Sequence, residues 1–241
     1  TTSVGIVFTP RFIEGLAISV DFIEVEIADA ILSVSSQNIV DRCYDSASLA
    51  NQFCPLISRN DDTLSAQSGG LDFLRQVQLN FGAAVYEGTD VSINYGFSAF
   101  DTLFSVGGVW TSVSKLDFIE QGGAVDDELG EMRRPENSGL FSLGAIRGPI
   151  SLEVSTMYLS KQTLNYEAGT EIETVMANFG PSAFTDEETF ITDLRGSYTG
   201  NNYSVYFGVN NVTDENPYGS EIAYPVSPIG RYFYLGANYS L

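Results

Sequence analysis

The 241-residue chain has no histidine, two cysteines, one tryptophan and only 11 basic residues against 31 acidic ones. Without imidazole, the usual catalytic triads and most catalytic zinc centres are closed, and two thiols cannot make a four-thiolate metal site. A net charge of −20 argues against duplex DNA or RNA, whose phosphates call for clustered Lys and Arg, so no nucleic-acid partner is expected. Charged residues are scarce at 17%, beside 44% hydrophobic and 12% aromatic. That balance excludes disorder and is too poor in charge for an ordinary soluble surface. There is no apolar run of about 20 residues, hence no membrane-spanning helix, and no basic stretch leading into an apolar one at the start. A membrane is not thereby excluded. A barrel strand needs only about 10 residues with one face in lipid.

What the sequence does have is a two-residue period. In the last segment Phe233, Leu235, Ala237, Tyr239 and Leu241 share one parity, and Tyr234, Gly236, Asn238 and Ser240 share the other, as in a strand between unlike surroundings. Val205, Phe207 and Val209 alternate with Ser204, Tyr206 and Gly208 in the same way. Leu194 and Tyr198 oppose Asp193, Arg195 and Ser197, while Leu152 and Val154 oppose Ser151, Glu153 and Ser155. Upstream, Val91, Ile93, Tyr95 and Phe97 form one face, as do Phe104, Val106 and Trp110. The phase breaks near Phe22, where Ile18, Val20 and Phe22 are followed by Ile23, Val25 and Ile27 on the opposite parity. A β-bulge is expected there, because one extra residue restores a single apolar face, although a strand leaving the bilayer would also change the pattern.

Nine strands are expected, at 3–8, 17–34, 74–98, 102–117, 139–147, 150–162, 188–198, 203–210 and 230–241. The links between them alternate in length. Short ones fall near Pro10–Gly15, Phe100–Asp101, Arg147–Pro149 and Thr199–Asn202, and long polar ones cover 35–73, 118–138, 163–187 and 211–229. Tight turns on one side and long loops on the other are the pattern of an outer-membrane barrel. The fold class is therefore all-β, an antiparallel transmembrane β-barrel segment. An odd number of strands leaves an edge whose backbone groups would each cost several kcal/mol unpaired in lipid. The chain is expected to be a piece of a larger barrel.

Cys43 and Cys54 lie in the first long link. A disulfide is the expected use, since an oxidising compartment permits it and closing the loop stabilises by about 2–4 kcal/mol; two free thiols are the alternative. Acidic groups cluster at Asp61 and Asp62, at Asp126, Asp127 and Glu128, and at Asp186, Glu187 and Glu188. They suit either a loop-bound divalent cation or a solvated, self-repelling loop tip, and no ordered ligand spacing favours the cation. No other cofactor is implied. Arg133 and Arg134 are the one adjacent basic pair. They could meet an anionic ligand or lipid head group, or pair with Glu131 and Glu136. Tyr and Phe near strand ends fit an interfacial aromatic belt, and Trp110 falls on the apolar parity.

The segments GIVFTPRFIEGLAISVDF (Gly5–Phe22), Asp41–Tyr44 with Asn51–Cys54, Asn80–Phe97 with Gly88, Thr89 and Asp90, GVNNVTDENP (Gly208–Pro217) and PIGRYFYLGANYSL (Pro228–Leu241) together resemble, in order, the C-terminal part of a TonB-dependent outer-membrane receptor barrel. The resemblance spans residues 1–241. Arg231 stands where the family opens its last strand, whereas Leu241 stands where most members end in Phe, a mild departure. The resemblance implies a complete receptor of about 22 strands with an N-terminal plug and a TonB box, of which this chain holds only the fourteenth to twenty-second strands.

By the same resemblance, the protein takes up a scarce nutrient (a siderophore, vitamin or oligosaccharide) across the bacterial outer membrane. Its partners would be the remainder of the receptor, the TonB complex acting through the plug, membrane lipid and the nutrient. It would not be an enzyme. Arg133, Arg134, Asp61 and Asp127 are the loop residues placed to meet a ligand. Two other classes stay open. A passive porin would need a charge-lined constriction, and a secreted β-rich binding module would press its apolar strand faces into a dry core.

Overall fold

The computed structural model of the chain describes residues 1–64, 66–120, 125–163, 184–185, 188–217 and 224–240. It divides into two units. One holds Thr1–Val25, Val85–Asp117 and the described part of Asp126–Leu241; the other holds Glu26–Ala84 and the described part of Phe118–Val125.

The strands are β1 (Thr2–Phe8), β2 (Leu16–Ser33), β3 (Ile57–Arg59), β4 (Leu71–Leu74), β5 (Gln78–Ala99), β6 (Thr102–Glu120), β7 (Val125–Asp127), β8 (Asn137–Arg147), β9 (Ile150–Leu159), β10 (Gln162–Thr163), β11 (Phe184–Thr185), β12 (Thr189–Thr199), β13 (Tyr203–Asn210) and β14 (Tyr232–Tyr239). Nine of them make one path, β1-β2-β5-β6-β8-β9-β12-β13-β14, with β7 beside β6. Wherever the register is described along this path, neighbours are antiparallel. The end strands β1 and β14 each have one neighbour in it.

The turns explain the alternation of link lengths. Phe100 and Asp101 both have positive φ (54° and 55°), the backbone of a two-residue hairpin whose twist matches its strands. Gly15 is required at the mouth of β2: its φ is +81°, and a Cβ there would collide with the Gly96 carbonyl. These short links lie at one end of the strands. In sequence they alternate with the long links that follow β2, β6, β9 and β13.

Cross-strand partners keep one parity per face. One row runs Val106, Leu143, Val154, Leu194, Val209 and Phe233, a continuous apolar line over six strands. This face is uncovered: Val154 is 39% exposed, Ile6 68% and Leu235 77%. A secreted module with a dry core would hide these side chains. The other two sheets, β3-β4 and β10-β11, have two strands each.

The expected bulge at Phe22 is not there on the β1 side. Pairing from Phe8–Ile18 to Thr2–Glu24 is unbroken, and Glu24 follows Phe22 on the same parity. Two further expectations need correction. The third strand, expected from 74, begins at Gln78, while Leu74 ends a separate strand β4 (Leu71–Leu74) paired with β3 inside the expected link, and the last strand begins at Tyr232, not at 230.

The second unit is an ordered structure where an irregular loop was expected. Helix α1 (Ser36–Tyr44) starts at Ser35, whose hydroxyl accepts the Asn38 N–H at 3.1 Å, a side-chain N-cap. Cys43 and Cys54 form a disulfide with Cα atoms 4.9 Å apart. Val34, Ile39, Cys43 and Phe53 are buried together, with Leu56, Ile57 and Leu74 against them. The Asn51 carboxamide oxygen accepts from the Phe53 and Cys54 amides, and the Arg59 guanidinium lies 5.2 Å over the Tyr44 ring.

Candidate functional site

The sheet has a wet face opposite its apolar one. Register puts Gly144, Glu153, Arg195, Gly208 and Tyr234 in one row. The Arg195 guanidinium lies 3.9 Å from Glu153 and 4.0 Å from Asp193. Arg195 and Glu153 are exposed and Asp193 is half-buried, so at these distances the pairs add at most about 1 kcal/mol. Their effect is to set both signs of charge on one wall, beside an open recess of 240 Å³ lined by Ser151, Ser197, Tyr206 and Tyr234 among others. Higher on the same face, the Thr111 hydroxyl donates to Asp90 at 2.6 Å, and the Ser19 and Ser92 hydroxyls meet at 2.8 Å.

The apolar face ends in aromatic rings at both edges. Near the long loops, Trp110 stacks on Tyr158 at 5.0 Å and Tyr158 meets Phe190 at 5.1 Å, with the Tyr158 hydroxyl donating to Glu188 at 3.0 Å. Near the tight turns, Tyr198 stacks on Tyr203 at 5.8 Å, and Tyr239 pairs with Tyr203 across the strands. Phe190 and Tyr198 lie on the same strand. At the usual rise they are about 26 Å apart along it, or about 20 Å in height once a tilt of about 40° is removed, just inside an apolar band of about 25 Å between aromatic girdles.

Among the long loops, 126–137 packs against Gln162 and Tyr224. Arg134 reaches Glu128 at 2.7 Å and Glu131 at 3.3 Å. Burial pushes both carboxyls above the ordinary glutamate value, Asp126 adds to this, and Arg134 pulls in the opposite direction. Arg133 adopts a positive φ of 73°; its N–H donates to Gln162 Oε1 at 2.7 Å, and its guanidinium lies 5.8 Å over the Tyr224 ring. The Tyr224 hydroxyl donates to the same Gln162 oxygen at 3.0 Å. Gln162 is 1% exposed.

Arg133 and Arg134 lie on the loop that follows β7, whose last residue, Asp127, accepts the Leu129 N–H at 3.0 Å. Asp61 belongs to the other unit, in an exposed turn where the neighbouring Asp62 accepts the Leu64 N–H. The pairing of Arg134 with Glu131 follows from proximity in sequence. Gln162 and Tyr224 carried no signal in the sequence, because only the fold places them beside Arg133. Among the described residues no group of three or more acidic or cysteine side chains is arranged to hold a metal ion. Asp186 and Glu187 of the third acidic cluster lie outside the described residues.

No family model and no curated protein matches the sequence. Solved structures do. The ferric enterobactin receptor PfeA of Pseudomonas aeruginosa, in a mutant form, aligns with 99% of this chain and 30% of its own at a TM-score of 0.56 and 15% identity. A second PfeA mutant, in complex with enterobactin, gives 0.56 and 16% over 99% of this chain and 31% of that one. The fold is that of a TonB-dependent receptor barrel. The FrpB iron transporter of Neisseria meningitidis aligns likewise, with TM-score 0.51, 14% identity, 98% of this chain and 30% of its own. The chain spans less than a third of these receptors (30–31%). In this receptor-barrel fold the nine-strand path supplies a section of wall with an apolar outside and a polar inside.

Proposed function

We propose that the intact protein takes up a scarce nutrient across the bacterial outer membrane with energy passed through TonB, and that this chain is the C-terminal section of its barrel. It forms wall and part of the outer surface, while the remaining strands, the plug and the TonB box lie in sequence outside it. The reading assigns no bond-making chemistry to the chain. The observation that carries it is the uncovered apolar face bounded above and below by aromatic rings (Trp110, Tyr158 and Phe190; Tyr198, Tyr203 and Tyr239), because bare apolar area of this extent calls for a cover and aromatic girdles at both edges suit a bilayer.

Outer loops that carry Arg133, Arg134 and Asp127, and separately Asp61, would meet the nutrient first. Iron-chelate uptake is one member of this class, and PfeA and FrpB support it as a precedent for the fold. The test is made on cells producing the full-length protein. The protein should fractionate with outer membranes, need detergent for extraction and migrate faster on a gel before heating than after. Nutrient uptake should stop when TonB is deleted. Release by high salt or carbonate would sink the barrel reading, and uptake that persists without TonB would favour a passive channel.

A further inference from the structure

Register shows how little charge the apolar face carries. Over the paired stretches Leu103–Ser112, Asn137–Arg147, Ile150–Leu159, Thr189–Thr199, Tyr203–Asn210 and Tyr232–Tyr239, a single charged side chain takes the apolar parity, that of Arg147. It follows Leu143 and Ala145 on β8 and stands at the tight-turn end. Arg147 is exposed, and among the described residues it has no carboxylate partner. In a chain with 31 acidic residues, an unpaired cation at the edge of an apolar face is not accounted for by pairing within the wall.

Its surroundings are polar and fixed. Arg147, Ile150 and Tyr198 are successive partners across three strands, which sets Arg147 and Tyr198 about 10 Å apart at the usual strand spacing. Tyr198 in turn lines an open recess of 450 Å³ with Asn201, Asn202, Tyr203 and Tyr239. Backbone bonds hold the turns that carry these groups: the Thr199 N–H donates to the Pro149 carbonyl, the Gly200 N–H to the Tyr203 carbonyl and the Ser240 N–H to the Asn202 carbonyl, each at 2.8 Å. Neither turn, Arg147–Ile150 or Thr199–Tyr203, contains an acidic residue, so no carboxylate of these turns opposes an anion.

We propose that Arg147 and this recess bind the headgroup of an anionic phospholipid in the leaflet at the tight-turn side. The guanidinium meets the phosphodiester, for which its planar fork of donors is suited. The Asn201 and Asn202 carboxamides and the tyrosine hydroxyls meet a headgroup that carries hydroxyls, and the apolar rows farther along β8, β9 and β12 take the acyl chains. A headgroup ammonium is repelled by the guanidinium, so phosphatidylethanolamine binds more weakly than phosphatidylglycerol. The inference rests on the reading of this face as lipid-facing and on no part of the uptake reading.

The experiment uses the full-length receptor in detergent, titrated with phosphatidylglycerol and phosphatidylethanolamine of identical acyl chains and read by native mass spectrometry. Phosphatidylglycerol should bind about fivefold or more tightly than phosphatidylethanolamine, the effect of one cation on an anionic headgroup. Arg147→Gln should bring it down to the phosphatidylethanolamine level, and Arg147→Lys should keep most of the preference. Asn201→Ala should lower phosphatidylglycerol affinity about threefold, the size of one hydrogen bond. Arg11→Gln, at another tight turn, should leave it unchanged. Glycerol phosphate, the same chemistry without acyl chains, should not compete. Equal affinity for the two lipids, binding unchanged in Arg147→Gln or in Asn201→Ala, an equal loss in Arg11→Gln, or competition by glycerol phosphate overturns the proposal. Heat-dependent gel mobility checks that each variant is a folded barrel. A folded barrel without lipid preference sinks this site alone, a protein that needs no detergent sinks the barrel reading with it, and uptake without TonB bears on the uptake reading only.

Discussion

The Asp214 carboxylate accepts the Arg231 backbone N–H at 2.7 Å, tying the exit of β13 to the entry of β14 across the last long link. Gly230 makes room for this bond: its φ is +70°, and a Cβ would stand 2.8 Å from the same Asp214 oxygen. Asp214→Ala should open the 211–231 link by about 1–2 kcal/mol, the cost of a charge-assisted bond to backbone. Gly230→Ala should do about the same through backbone strain. Amide exchange of Arg231 and Val212 measures both, and unchanged protection in Asp214→Ala would mean the bond holds nothing.

Val154 sits midway between the two aromatic rows, paired with Leu143 and Leu194. Val154→Arg should cost about 2–4 kcal/mol in lipid, the penalty for a cation near the bilayer midplane. Ser155→Arg, one residue along on the wet face, should stay within about 0.5 kcal/mol. Denaturant unfolding in vesicles compares them. Equal costs would show that the two faces do not meet different media.

Reduction of the Cys43–Cys54 disulfide, or Cys54→Ser, should destabilise its own unit by about 3 kcal/mol from loop entropy. Protease should then cut between residues 44 and 60. The turn-end hairpins of the other unit should keep their protection.

Burial raises the Glu128 and Glu131 carboxyls above 4.5, so the folded loop retains protons that the opened loop has released at the same pH. Local stability is therefore fully present below the ordinary glutamate value and falls as pH rises through the raised values. Arg134→Gln removes the cation that offsets this, and should weaken the loop by about 1 kcal/mol at pH 7, less at pH 4. Exchange of the Glu131 and Arg134 amides across that window reads it, and a loop that loosens as pH falls would reverse the sign.

Much of the wall is legible in the sequence because a strand between lipid and water repeats every two residues. Leu152, Val154 and Tyr158 against Ser151, Glu153 and Ser155 define both the strand and its outward face. Turn chemistry was legible for a similar reason: Phe100–Asp101 sits between two long alternating runs. The break at Phe22 was misread as a bulge on the β1 side, where the ladder is unbroken, because parity alone does not show whether pairing is interrupted. Helix α1 left too weak a trace, because its stability depends on Ile39 and Cys43 packing against Phe53 and on the disulfide more than on periodicity. Arg134 beside Glu131 could be foreseen from spacing, but Arg133 beside Gln162 and Tyr224 could not.

The sequence by itself determined the strand period, the parity of each face and the alternation of short and long links, since these are local consequences of one-sided burial and of turn-forming residues. Only the tertiary structure decided which residues from distant strands share a height or a cavity. Trp110, Tyr158 and Phe190 form one aromatic row, and Ile191, Asn210 and Tyr232 share one pocket, because register is set by pairing between strands, and that pairing is written in no single segment.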